Sequence, residues 1–238
     1  MMSIGNRVYL KRPMPPPELL REFEKIPAAN IADTMGRSCA LYPRIRLMSA
    51  PEKSITAGAA LTVKSRAGDN LMIHKALDMA KEGDVIIVSN EGEQTRSLMG
   101  EIMFTYAKYK NLGALVLDGP IRDNDAAGNM PYPIYATGTT PGGPYKEGPG
   151  EINVPISCGG ISVSPGDIVV MDTDGVIIIP LEDAYEVLKA AQAFQAQDAA
   201  KVVAAANGTA KRDWVDKTLA DKKIETIDGY YQPRKEEP

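Results

Sequence analysis

Two short runs of unbroken apolar residues stand near the middle of the chain, Val85–Ser89 (VIIVS) and Ala114–Asp118 (ALVLD). Strands of this kind are covered on both faces. Ala57–Ser65 (AGAALTVKS) alternates weakly and predicts another strand, and Ile134–Thr137 a further one. Between them lie helical periodicities. Asn70–Lys81 carries Leu71, Ile73, His74, Leu77 and Met79, with Asp69 placed to cap it, and predicts a mostly buried helix with His74 packed in the core or, as a second reading, lining a pocket. Met99–Lys110 predicts a second helix ending near Gly113. Upstream, Pro17–Phe23 has helical spacing up to Pro27, and Ala28–Gly36 predicts a short helix stopped by Gly36. Downstream, Ile152–Ile156, Gly160–Val163, Ile168–Met171 and Val176–Pro180 read as four consecutive strands. A long Ala-rich helix over Leu181–Ala206 follows, and a polar tail with a short helix around Trp214–Lys222. Helix–strand mixtures followed by strands and a helix predict a layered α/β sandwich with a mixed sheet.

Gly138–Gly150 holds five glycines and three prolines and reads as a loop, more simply a surface excursion and otherwise a lid over the site. It contains no G-K-[ST], so it is not a phosphate-binding P-loop. Glu82-Gly83-Asp84-Val85 and Pro165-Gly166-Asp167-Ile168 echo each other, each a tight turn feeding a β-branched strand. The domain boundaries expected from this pattern are an N-terminal arm and helix over 1–27, a catalytic domain over 28–206 and a C-terminal extension over 207–238.

Composition narrows the chemistry. The chain has 238 residues and a net charge of −4, without a basic block, so no nucleic-acid partner is expected. Two cysteines, Cys39 and Cys158, are too few for a disulfide framework and read as free thiols of a reducing compartment. The N-terminal segment lacks the apolar stretch of a signal peptide, and no run approaches a membrane span, so a cytoplasmic location is expected. One histidine, His74, excludes a multi-histidine metal site and disfavours a Ser-His-Asp triad. A metal, if used, would be held by carboxylate oxygens and water, as suits magnesium or manganese.

Two motifs could carry that chemistry. In Leu98-Met99-Gly100-Glu101-Ile102-Met103 a glycine and a carboxylate stand at a predicted helix start, where unpaired N–H groups at the positive helix end can hold an anion. Asp118-Gly119-Pro120-Ile121-Arg122-Asp123 follows a buried strand, and ligands of α/β sheets bind beyond the carboxyl ends of strands. Twenty residues separate Glu101 from Arg122. One helix and one strand fill that gap, so both motifs can reach the same sheet edge. Lys64 and Lys108 are the lysines weighed for a Schiff base, and both read more simply as solvated charges.

Gly100-Glu101-Ile102-Met103, Ala107-Lys108 and Gly113–Asp123 resemble the RraA-like family, as do Ile31–Gly36, Gly68–Leu71 and Gly166-Asp167. Within it the match is to the class II pyruvate aldolases, which cleave 4-hydroxy-4-methyl-2-oxoglutarate or 4-carboxy-4-hydroxy-2-oxoadipate. Their signature is an acidic residue, 20 residues, then Arg-Asp; the acidic residue is often Asp, and here it is Glu101. The resemblance implies a β/β/α swivelling-type sandwich and a divalent-metal-dependent lyase releasing pyruvate, with oxaloacetate decarboxylation through the same enolate. It implies Asp123 as a ligand of Mg²⁺ or Mn²⁺, with Glu101 reaching the metal or its waters. Arg122 would stabilise the enolate, and backbone N–H groups across Leu98, Met99, Gly100, Glu101 and Ile102 would hold the substrate carboxylate. With no histidine near either motif in sequence, a metal-bound water is the expected proton carrier. A homo-trimer or hexamer is implied, with a small 2-oxo acid as partner and neither nucleic acid nor membrane. The alternative is a non-catalytic relative that binds and inhibits a ribonuclease. The Arg122-Asp123 pair favours the enzyme, because a binding module has no need of it.

Overall fold

The structure, a computed structural model, describes residues 4–231. The chain divides into two compact units, Met1–Gln195 and Ala196–Pro238. The first contains β1 (Arg7–Val8), α1 (Pro17–Phe23), α2 (Ala28–Thr34), β2 (Arg46–Leu47), β3 (Thr56–Ser65), α3 (Leu71–Met79), β4 (Val85–Ser89), α4 (Glu101–Tyr109) and β5 (Ala114–Asp118). It continues with α5 (Asn124–Gly128), β6 (Ile134–Ala136), β7 (Gly150–Ile152), β8 (Ile156–Cys158), β9 (Ile161–Val163), β10 (Ile168–Asp172) and β11 (Gly175–Ile179). A short 3-10 turn, Leu181–Asp183, leads into α6 (Ala184–Ala206), which runs on into the second unit; that unit also holds α7 (Trp214–Asp221).

The expected α/β architecture with a mixed sheet is present. Strands β3, β4, β5 and β6 pair in parallel, and β2 closes that edge antiparallel to β6. The ten-residue β3 serves two neighbours on its other side: its first half pairs antiparallel with β10 and its second half antiparallel with β7. The unbroken apolar runs do cover both faces. Ile86 and Val88 of β4 pack with Ile73 and Leu77 of α3 and Phe104 and Ala107 of α4. Val85 and Ile87 point the other way, into a cluster with Ile156, Val163, Val169 and Ile178. A third cluster joins Leu19, Phe23 and Ile31 of the first two helices to Val170 and Ile177.

The echoed segments are one turn used twice. Asp84 Oδ2 accepts the N–H of Lys81, and Asp167 Oδ2 accepts that of Ser164, each three residues back. Both turns need the positive φ of their glycine, 79° at Gly83 and 90° at Gly166.

Some expected elements differ. Ile152–Ile156 is not one strand: Asn153 has a φ of 56° and Pro155 has no N–H, so the chain breaks into β7 and β8. α4 begins at Glu101 rather than Met99, because Gly100 is extended and Met99 O accepts the N–H of Arg122. The proline stretch after β1 belongs to an arm that is wired to the sheet: β1 pairs in parallel with β7, and Arg12 meets Asp84 at 2.5 Å with both side chains buried. β1, β2 and α5 escape the sequence pattern because none is long enough to show a period.

Candidate active site

Strands β4, β5 and β6 end at Ser89, Asp118 and Ala136, and their following loops meet at one edge of the sheet. Backbone hydrogen bonds zip these loops together. Leu98 N–H donates to Pro120 O at 2.8 Å and Arg122 N–H to Met99 O at 3.0 Å. Ile121 N–H donates to Gly138 O, and Thr140 N–H to Ile121 O, both at 2.9 Å. Ser97 ties in the third loop through its N–H and Oγ, both to Gly142 O. The juxtaposition expected from the 20-residue spacing is therefore built by main chain, before any side chain is considered.

Gly100 lies where the first two loops touch. A Cβ there would stand 2.5 Å from Asp123 Oδ2 and 2.9 Å from both Cγ and Nε of Arg122. A side chain there would force both of those groups to move. Asp123 adopts a left-handed backbone, φ 55°, which turns its carboxylate back toward α4, where Oδ2 accepts the Glu101 N–H at 2.9 Å. Arg122 Nε lies 3.5 Å from the same oxygen, with both side chains about half exposed. Water screens such a pair, so it contributes little to stability.

A cavity of about 320 Å³ opens beside these groups. Arg122, Leu98, Met99, Gly100 and Ile102 line it, as the sequence reading grouped them. Glu101 does not: its side chain points to solvent, and its contribution here is its N–H to Asp123. Asp123 faces a neighbouring hollow with Asn124, Thr139 and Thr140, and Arg122 borders both spaces. The N–H groups of Leu98 and Glu101 are engaged, by Pro120 O and Asp123. Among the described residues those of Met99, Gly100 and Ile102 have no hydrogen-bond acceptor, and all three lie at the positive end of α4.

The remaining wall comes from His74 and the Gly/Pro-rich loop. His74 was expected in the core, but it is exposed at the cavity wall, because the inward face of α3 is filled by Met72, Ile73, Ala76 and Leu77. Burial first, and then the charge of Lys146, push the His74 imidazole below its ordinary range, with Asp78 pulling the other way. Gly143, Pro144 and Lys146 bring the Gly/Pro-rich loop onto the cavity, so this largely exposed loop also forms one of its walls. Asp69 holds it there. Its carboxylate, fully buried, accepts the N–H groups of Leu71, Glu147 and Gly148, while the helix-cap position itself is Asn70. The Tyr145 ring sits between two guanidinium groups, 4.1 Å from Arg96 and 5.5 Å from Arg66. Asp33 pairs locally with Arg37. Lys108 lies in α4, away from this cavity, and lines a separate hollow with Glu82 and Tyr132.

Comparison with known proteins gives the family. The family model described as Aldolase/RraA matches residues 28–178. The chain belongs to the RraA-like family. A Halalkalibacterium halodurans protein named "Putative 4-hydroxy-4-methyl-2-oxoglutarate aldolase" is 38% identical over 184 residues, spanning 77% of this chain and 87% of its own. An uncharacterized Pseudomonas syringae protein of known structure superposes with a TM-score of 0.72 at 26% identity, covering 82% of this chain and 96% of its own. Streptomyces coelicolor RraAS2, described as an unusual member of the RNase ES inhibitor RraA protein family, superposes with a TM-score of 0.70 at 25% identity over 79% of this chain and 97% of its own. The names of the relatives thus support an aldolase reading of this RraA-like chain. Among the described residues, no helix is long and apolar enough to cross a membrane.

Proposed function

We propose that this RraA-like protein is a divalent-metal-dependent lyase that cleaves a 4-hydroxy-2-oxo acid, of the 4-hydroxy-4-methyl-2-oxoglutarate or 4-carboxy-4-hydroxy-2-oxoadipate type, to pyruvate and a carbonyl product. The observation that carries this is one cavity lined by Arg122 and by Met99, Gly100 and Ile102, whose N–H groups have no acceptor among the described residues, with the Asp123 carboxylate next to it.

The donor set fits the metal. Among the described residues no group of three or more His, Cys, Asp and Glu side chains could hold an ion, so a zinc-type cage is not offered. Asp123 offers a carboxylate with Oδ1 uncommitted, and the Glu101 carboxylate, on the neighbouring α4, is exposed. One or two carboxylates with water in the other positions suit Mg²⁺ or Mn²⁺. Bound there, the ion would supply Lewis-acid polarisation of the 2-oxo group.

The protein's own groups do the rest. The N–H groups of Met99, Gly100 and Ile102 receive the substrate carboxylate at the positive end of α4. In the cleavage step the C4 hydroxyl gives its proton to water in the cavity, and the freed O–H pair forms the C4=O bond of the leaving carbonyl product as the C3–C4 bond breaks. The electron pair of the broken bond moves to form the C2–C3 double bond of an enolate, and charge gathers on the C2 oxygen. Arg122, with fixed donors and a permanent charge, stands to meet that oxygen. A proton later returned to C3 gives pyruvate. Oxaloacetate decarboxylation yields the same enolate, so it belongs to the same proposal.

The test is pyruvate release from a panel of 4-hydroxy-2-oxo acids and oxaloacetate, with Mg²⁺, with Mn²⁺ and with EDTA. Activity should vanish in EDTA and return with either ion. Full activity in EDTA together with a borohydride-trapped lysine adduct would overturn the metal-dependent reading. The likeness to RraAS2 supports a second reading, a ribonuclease-binding regulator; it predicts no pyruvate from any substrate and a fall in ribonuclease turnover on addition of the protein.

A further inference from the structure

The cavity beside Arg122 is lined by no carboxylate, yet His74 and Lys146 face it in addition to Arg122. A pocket for a monoanion needs only the α4 end and Arg122. The additional cation is unspent: among the described residues no acidic side chain forms an ion pair with Lys146. Its position is fixed on both sides by the backbone. Tyr145 donates its N–H to Gly68 O and accepts the N–H of Asn70, and the next two N–H groups, of Glu147 and Gly148, end on Asp69. The backbone that carries Lys146 is therefore held at the cavity wall.

We infer that Lys146, with His74 beside it, is the specificity-determining part of this cavity, binding a second carboxylate on the fragment that leaves in C–C cleavage. The inference rests on the lyase reading and deepens it, since it assigns residues to the second carboxylate that the substrates named there carry. The first carboxylate goes to the α4 N–H groups, the developing enolate oxygen to Arg122, and the second carboxylate to the lysine on the stapled loop. His74 completes the wall as a neutral imidazole able to share a hydrogen bond with that group, consistent with the Lys146 charge reaching it.

Two measurements on the full-length protein with Mg²⁺ test this. The first is kcat/KM for 4-hydroxy-4-methyl-2-oxoglutarate, a diacid, against 4-hydroxy-2-oxopentanoate, a monoacid, in the wild type, Lys146→Met and Lys146→Arg. The diacid-to-monoacid ratio should fall about 10- to 100-fold in Lys146→Met, the range for loss of a charge-assisted hydrogen bond, and recover in large part in Lys146→Arg. A ratio that stays at the wild-type value, or a wild type without diacid preference, overturns the inference. The second is titration calorimetry with 2-oxoglutarate and 2-oxobutanoate, neither of which can undergo the cleavage. The wild type should bind the diacid more tightly, and Lys146→Met should lose that margin. If no 4-hydroxy acid is cleaved but this margin is present and Lys146-dependent, the lyase reading fails and the subsite stands. If cleavage occurs while the margin is absent or independent of Lys146, the subsite fails and the lyase reading stands.

Discussion

Gly100 and Arg122 show how much of the site depends on single residues. The gap at Gly100 is filled by Asp123 and Arg122 themselves, so any side chain there displaces the two groups assigned to the metal and to the enolate. Arg122 is the residue whose loss separates chemistry from binding. If its contacts strengthen as charge moves onto the C2 oxygen, removing it lowers kcat and not only the apparent affinity. Loss of one such donor typically costs about 10²–10³ in rate. Arg122→Ala should therefore lower kcat by roughly 10²-fold or more in both aldol cleavage and oxaloacetate decarboxylation, measured by coupled pyruvate detection. Arg122→Lys keeps the charge but loses the planar fork, and should recover only part. A change confined to KM would show that Arg122 merely anchors a substrate carboxylate. Its ion pair with Asp123 is too exposed for the fold to depend on it, so both variants should unfold at nearly the wild-type temperature.

At the scale of elements, the sheet was legible because strands buried on both faces leave a run of apolar residues that needs no period to be recognised. Val85–Ser89 and Ala114–Asp118 coincide with β4 and β5 end to end. The 20-residue spacing then placed Glu101 and Arg122 at one sheet edge, since the intervening α4 and β5 return the chain there. The wall formed by His74 and the Gly/Pro-rich loop was legible only as a second reading of those segments, behind a core histidine and a surface loop. Nothing in Pro144-Tyr145-Lys146 marks it as part of a pocket, and His74 is distant in sequence from both motifs; only the packing of α3 and the staples from Asp69 bring them in. Asp69 itself read as a helix cap, a local role, and two of its three hydrogen bonds instead cross about 80 residues of chain. That reach makes it a positioning residue for the loop. Asp69→Asn replaces a carboxylate that accepts three N–H groups with an amide that can accept at only one of its two ends. It should release the Glu147 and Gly148 amides to faster hydrogen exchange while those of β4 and β5 keep their protection. It should also erode the preference for diacids in proportion. Unaltered exchange at Glu147 and Gly148 would show that Arg96, through its bond to Gly143 O, and Ser97 suffice to hold the loop.

For the first unit as a whole, the arm that precedes α1 bears on stability through one buried contact. Arg12 reaches Asp84 in the turn that launches β4, with side-chain exposures of 8% and 2%. Asp84 also accepts the Lys81 N–H, so its carboxylate is partly satisfied without the arginine. Arg12 is less well served: Nε and Nη2 make no hydrogen bond of good angle, although Nη2 lies against the carboxylate. Such a pair is held by Coulomb attraction against a large desolvation cost, and imperfect geometry reduces what the attraction returns. Removing one partner is then worse than removing both. Arg12→Ala leaves a carboxylate buried without its countercharge and should cost about 3 kcal/mol or more in chemical denaturation. Arg12→Met with Asp84→Leu removes both charges and keeps apolar volume, so it should lie well above the single variant in stability. The Lys81 N–H, which loses its acceptor in the double variant, keeps that protein below the wild type by about 1–3 kcal/mol. A double variant as unstable as the sum of the two single ones would show that Arg12 and Asp84 act independently and that their contact is not a stabilising pair. The same experiment reads the arm's bearing on the site, because the Gly83-Asp84 turn fixes the start of β4 and so the strand whose far end leads into the loop carrying Leu98, Met99 and Gly100. Loss of the arm contact should lower stability first, with kcat/KM falling only as the folded fraction falls.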